Sequence, residues 1–265
     1  MAIAPTFPLA APPTSAAARR YSILDAAVGP LDLPDGGRLA DVAYTVPWCG
    51  GGTVIDPECV GIENDFEAGL DVVEGAAFVV QRGFTCLAPG KTPADVERFA
   101  RDRLEGSEHV LVEAKVAAML AAAAGLVDVG TGATITEAVS LLESYAYTVG
   151  GTVGADEDTA GVGLAAVIHM PVAAWAYLAA SSQITKAGAV WVAPLGSVVA
   201  PNAGITTATA YVTGQFVLWR SPAPFLPPVE GALNRTTNEY RMLASRGYAA
   251  AWECFTASAT LGALA

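Results

Sequence analysis

Apolar positions follow a helical period over one long stretch of the chain and shorter periods elsewhere. Between Thr92 and about Ala124 they fall at Val96, Phe99, Ala100, Leu104, Val110, Leu111, Val116, Met119 and Leu120. That spacing predicts a single long helix. Thr92 is placed to cap it, Pro93 occupies a first-turn position where a missing N–H costs nothing, and Asp95 and Glu97 put negative charge near the positive end of the dipole. At about 1.5 Å per residue it would span roughly 50 Å. Gly106-Ser107 is the expected place for a bend. Before this helix, Val72-Val73, Ala77–Val80 and Phe84 predict strand structure over Asp71–Cys86, and Pro89-Gly90 turns the chain. After it, a second helix is expected at Glu137–Val149, capped by Thr134 or Thr136, with Ala138, Leu141, Leu142, Tyr145 and Ala146 on one side. Val162–His169 reads as a buried strand, and Pro171 opens a third helix over Val172–Ser182. Short β segments are expected at Ala189–Ala193 and Ser197–Ala200. Ala208–Arg220 reads as one strand. Asn238–Thr260 reads as one or two strands returning beside the long helix. Residues 21–60 show little periodicity and many turn signals, as expected of a segment that pairs with neighbouring chains. Pro5, Pro8, Pro12 and Pro13 make the first twenty residues an arm rather than a helix.

Composition narrows the function. The chain has 265 residues, a net charge of −12 and only three lysines, Lys91, Lys115 and Lys186. A sequence-independent nucleic-acid binder needs basic residues to displace counterions, so that class is disfavoured. Mean hydropathy is high at +0.43. Even so, no run reads as a membrane span, because His169 and Pro171 interrupt the nearest one, Gly163–Ala180. Met1–Ala18 lacks the basic and apolar regions of a signal peptide. Apolar surface of this extent without a membrane points to burial between subunits.

Candidate chemistry is sparse. Cys49, Cys59, Cys86 and Cys254 form no CxxC pair and fit no zinc spacing. Cys49 and Cys59 flank Gly50-Gly51-Gly52 and are placed to meet, although free buried thiols are the default. His169, at a strand end, is read as a hydrogen-bonded structural residue rather than a base or ligand, since no second ligand sits nearby. Glu105, Glu108, His109 and Glu113 share helix faces, but the second histidine of a zinc site is missing, so they read as a solvated or intersubunit charged face. Asp156, Glu157 and Asp158 lack the EF-hand pattern and read as an exposed loop tip. Trp48 has no local core and reads as an interface anchor. A Cys86–His109 or Cys86–His169 pair is the basis of the alternative of a cysteine-dependent hydrolase. No metal or cofactor is expected.

The order of elements resembles the HK97-type capsid fold of tailed-phage capsids and encapsulin shells. Several stretches are similar to capsid proteins of phages infecting actinobacteria: Phe78-Val79-Val80-Gln81-Arg82-Gly83-Phe84-Thr85-Cys86, Ala100-Arg101-Asp102-Arg103-Leu104-Glu105-Gly106-Ser107-Glu108-His109, Gly163–Pro171, Pro194–Val199 and Ala210–Gly214. The resemblance spans about residues 71–260. It implies an α+β fold with an N-terminal arm at 1–45, an extended loop at 46–76, a peripheral domain with a spine helix at 77–130 and 221–265, and an axial domain at 131–220. It also implies a non-enzymatic major capsid protein of the virion, assembled in the host cytoplasm, which self-assembles through hexamers and pentamers into an icosahedral shell around double-stranded DNA. Portal, scaffold or cement proteins would be its further partners. An encapsulin-like compartment is the alternative on the same fold. One departure is visible: some members join subunits through a lysine on the extended loop, and no lysine lies between Met1 and Gly90. A shell closed without that bond is therefore expected.

Overall fold

The computed structural model describes residues 22–32, 42–46, 71–152 and 166–262. In chain order these form α1 (Ile23–Ala26), β1 (Val28–Asp32), β2 (Val42–Val46), β3 (Asp71–Leu87), α2 (Pro93–Ala121), β4 (Val127–Thr131), α3 (Ile135–Thr152), β5 (Val167–Met170) and α4 (Val172–Ala180). Then come β6 (Thr185–Ala187), β7 (Val190–Val192), β8 (Val198–Pro201), β9 (Thr209–Thr213), β10 (Phe216–Arg220), a 3-10 turn at Val229–Gly231, β11 (Leu233–Asn234), β12 (Glu239–Trp252) and β13 (Thr256–Thr260). The strands make two sheets, one ordered β1-β10-β12-β3-β2 with β11 on β12, the other ordered β4-β13-β9-β5-β8-β7-β6. The first is built on two long partners: β3 and β12 pair antiparallel from Ala76 opposite Ala250 to Leu87 opposite Glu239.

The long helix is present as expected and ends slightly early, at Ala121. Thr92 Oγ1 accepts the Asp95 amide at 3.2 Å and Asp95 Oδ2 accepts the Thr92 amide at 3.1 Å, a reciprocal capping box. Gly106-Ser107 does not interrupt it. The Ser107 hydroxyl instead donates back to the Arg103 carbonyl at 2.9 Å. Its deepest side chains are four apart: Val96, Ala100, Leu104, Glu108, Val112, Val116 and Leu120. With 3.6 residues per turn, each four-residue step advances the seam by about 40°. The seam therefore winds around α2, so the helix serves two partners. Its core neighbours include Phe78, Phe216, Leu218 and Tyr248 of the first sheet and Val167, Ala200 and Tyr211 of the second. The opposite face of the second sheet packs on α3 and α4, through Ala138, Leu142, Ala174 and Leu178 against Ile168, Met170 and Val212. Alternate residues of β5 and β9 thus feed two cores, as a strand buried on both faces requires.

The segment expected as one strand over Ala208–Arg220 is two strands in different sheets. The chain crosses at Gly214-Gln215 and crosses back at Glu253-Cys254, between β12 and β13. The crossings lie side by side: the Glu253 amide donates to the Gln215 carbonyl at 3.1 Å and the Gly214 amide to the Phe255 carbonyl at 3.3 Å. A Cβ at position 214 would fall 2.2 Å from the Glu253 carbonyl oxygen, so only glycine fits this waist. β10 belongs to the first sheet, and β4 and β13 belong to the second. Nor is the stretch from residue 21 featureless. Ile23 of α1 is fully buried, β1 pairs parallel with β10, and β2 pairs with the start of β3. No helix among the described residues is long and apolar enough to cross a membrane.

Candidate functional site

α2 carries two buried carboxylates, and each ties it to a different sheet. Glu108, 7% exposed, sits in the four-residue seam where an aliphatic residue would otherwise stand. Arg246 Nη1, from β12, donates to both of its oxygens at 2.9 Å. The Tyr248 hydroxyl, two residues on and on the same face of β12, donates to Glu108 Oε1. Tyr248 is fully buried and stacks on Phe78 of β3, with ring centroids 5.6 Å apart. Burial, reinforced by the Glu108 charge, pushes the tyrosine hydroxyl above its usual range and keeps it protonated as a donor. Both charges are buried between α2 and the first sheet, so removing either member would leave the other uncompensated.

Glu113, 1% exposed, serves the other sheet. Its Oε2 accepts the Ala203 amide at 3.0 Å, just after β8. The same turn is held by Asn202, whose amide donates to the Met170 carbonyl at 2.8 Å and whose Oδ1 accepts the Gly204 amide at 2.8 Å. Gly204 presses directly on the helix: a Cβ there would lie 2.5 Å from Ala114 Cα. A third buried acid, Glu143 of α3, accepts the Leu195 amide at 3.1 Å and so holds the turn between β7 and β8. Burial pushes its pKa up, against the opposing pull of hydrogen bonds from Leu195 and Ser197.

The charged face expected from Glu105, Glu108, His109 and Glu113 is therefore divided. Glu108 and Glu113 are buried within the chain, because the winding seam carries first one and then the other inward. Glu105 remains exposed and His109 half-exposed. Trp48, Asp156, Glu157 and Asp158 lie outside the described residues, as do Cys49 and Cys59. One signal would have revealed Glu108 in advance: it occupies position 108 of a run of core residues spaced by four.

His169 is a core residue. Its Nε2 lies 3.3 Å from the Thr213 hydroxyl and its ring meets Phe216 edge-on at 5.2 Å. Complete burial lowers its pKa to about 3, so it is neutral at physiological pH. Cys86 is a free thiol at the end of β3, and burial pushes its pKa up, opposite to what a nucleophile requires. Cys254 is disulfide-bonded, which corrects the default of free thiols for this residue. Among the described residues no group of three or more His, Cys, Asp or Glu side chains is placed to hold a metal. What the arrangement provides is stiffness: one helix locked by buried carboxylates to two sheets that exchange strands at a glycine waist.

No family model and no curated protein matches the sequence. Solved structures match its backbone over nearly the whole chain. The capsid of an empty GTA particle superposes with a TM-score of 0.52 at 13% identity, covering 88% of this chain and 87% of that one. A chain from Mycobacterium phage Bobi gives 0.51 at 12% identity over 99% and 96%. A chain from Mycobacterium phage Cain gives 0.50 at 12% over 93% and 92%. The fold is HK97-like. Two features of the first sheet stand out among the described residues. β2 reaches only residues 71–75 of β3, so among the described residues β3 has no strand on that side from Ala76 onward. On the face of the first sheet away from α2, Val79, Leu87 and Leu243 are exposed.

Proposed function

We propose that this chain is the major capsid protein of a tailed phage, building an icosahedral shell around double-stranded DNA through five- and six-membered rings of subunits. The observation that carries this reading is the match of nearly the full chain, in both directions, to capsid subunits. Supporting it are a long helix tied by buried carboxylates to both sheets, and an exposed apolar sheet face of the kind that neighbouring subunits cover. The role is physical rather than enzymatic. The net charge of −12 suits a container that must not bind its genome tightly.

The test is the content and size of the assembly. Chains purified from a phage-infected host are expected in nuclease-resistant particles that hold double-stranded DNA. Particles of the same fold filled with a cargo enzyme and no DNA would instead favour the encapsulin-like reading. A chain that stays monomeric at high concentration would contradict both.

A further inference from the structure

Two buried polar atoms on the α2 side of the second sheet have complementary needs. His169 and Asn202 are both fully buried. The Thr213 hydroxyl gives its one proton to the Gly214 carbonyl at 2.9 Å, so toward His169 Nε2, 3.3 Å away, it can only accept. This network assigns the ring proton to Nε2 and leaves Nδ1 a bare lone pair. Asn202 Oδ1 accepts the Gly204 amide at 2.8 Å, which fixes the side-chain amide and directs Nδ2, with two protons to donate, away from that bond. Among the described residues neither His169 Nδ1 nor Asn202 Nδ2 has a hydrogen-bonding partner. One needs a donor and the other an acceptor, and burying either without one is costly.

The strand register brings the two residues together. His169 pairs with Ala200 across the parallel β5–β8 ladder, Met170 pairs with Pro201, and the Asn202 amide extends the ladder to the Met170 carbonyl at 2.8 Å. Asn202 stands two residues beyond Ala200 and so shares a face with it and with His169. That face looks toward α2, because Val167 and Ala200 belong to the core under the helix whereas Ile168 and Val199 belong to the opposite core. With strands about 4.8 Å apart and a rise of about 3.3 Å per residue, the two backbones stand ~8 Å apart. Two hydrogen bonds of about 2.9 Å through one shared oxygen cover about 5–6 Å of that span, and the side chains cover the remainder.

We propose that a single water molecule is bound inside the subunit between these side chains, accepting a hydrogen bond from Asn202 Nδ2 and donating one to His169 Nδ1. Buried waters characteristically serve polar groups that the chain itself leaves unsatisfied. The chemistry of the site selects a neutral molecule that both donates and accepts. A cation would meet the protons of Nδ2. An anion would meet the Nδ1 lone pair and, at the next residue of the same turn, the Glu113 carboxylate that accepts the Ala203 amide. The bound water completes a polar path from Glu113 of α2, through the 202–204 turn, to His169, Thr213 and the Gly214 carbonyl at the waist. It is a property of the folded subunit and does not depend on the shell reading.

The experiment is nitrogen-15 NMR of the full-length chain at neutral pH, with labelled histidine rings and asparagine side chains, under magic-angle spinning where the chain is assembled. The chain has two histidines, so comparison with His109→Gln assigns the His169 ring. The expected result is a ring protonated at Nε2 and bare at Nδ1, with magnetisation passing from a slowly exchanging water to both the His169 ring and the Asn202 side-chain amide. A ring protonated at Nδ1, or no transfer from water to either side chain, overturns the proposal. A second measurement uses Asn202→Leu, which keeps the shape of the side chain and removes its donors, with circular dichroism to verify folding. A folded variant in which the transfer from water to His169 is lost supports the proposal; a folded variant that retains it overturns the assignment of Asn202 as the partner. The wild-type measurement decides the matter by itself where the variant does not fold.

Discussion

Removing the Glu108 carboxylate leaves the Arg246 guanidinium and the Tyr248 hydroxyl buried without their shared acceptor. Breaking one side of such a pair costs about 3–5 kcal/mol, whereas replacing both members with apolar side chains is often close to neutral. Glu108→Ala is therefore expected to lower folding stability by that amount in urea titrations, and Glu108→Leu with Arg246→Met to recover most of it. His169 gives a second prediction with a defined sign. Its folded pKa is about 3 against 6.5 unperturbed, so as pH falls below 6.5 the unfolded chain takes up a proton that the native core refuses. The contribution of His169 is fully present above pH 6.5 and is lost progressively toward pH 3, by about 5 kcal/mol in the limit at 1.36 kcal/mol per pKa unit. Stability measured against pH for wild type and His169→Gln should converge on acidification, because the variant lacks that uptake. Parallel curves would contradict a neutral buried imidazole. Glu143 acts in the opposite sense: its raised pKa means that acidification relieves the cost of burying its carboxylate.

At the scale of elements, the helices were the most legible in the sequence. α2 was readable because its cap and its apolar spacing agree, and Thr92→Ala should cost it about 1 kcal/mol in thermal or chemical denaturation. The Ala208–Arg220 segment was legible as β structure but not as two strands. Its hydrophobicity is continuous through Gly214, and what divides it is the carbonyl of Glu253, some forty residues away. Long-range packing of this kind leaves only a glycine as a local trace. Gly214→Ala is expected to destabilise by at least the 1–3 kcal/mol typical of overpacking, roughly, since backbone rather than a flexible side chain blocks the space. Gly83→Ala, where an added Cβ meets nothing within 4 Å, should be nearly silent and serves as the control. The charged residues of α2 were legible as a cluster but not as a division between core and surface. A four-residue seam drifts around the helix, and that drift carries Glu108 and Glu113 inward while Glu105 stays outside.

For the whole molecule, the two sheets share a waist where β10 and β13 each begin, and α2 bridges them through Glu108 on one side and Glu113 on the other. Because no lysine lies between Met1 and Gly90, shells boiled in detergent with reductant should run as single chains of 27.0 kDa, and a ladder of larger covalent species would contradict that. The central claim is assembly itself, and electron microscopy of the purified full-length chain at high concentration addresses it most directly. Uniform closed particles with five- and six-membered rings of subunits are predicted. A field of dispersed 27.0 kDa monomers, under the conditions that support assembly of such shells, would contradict the account.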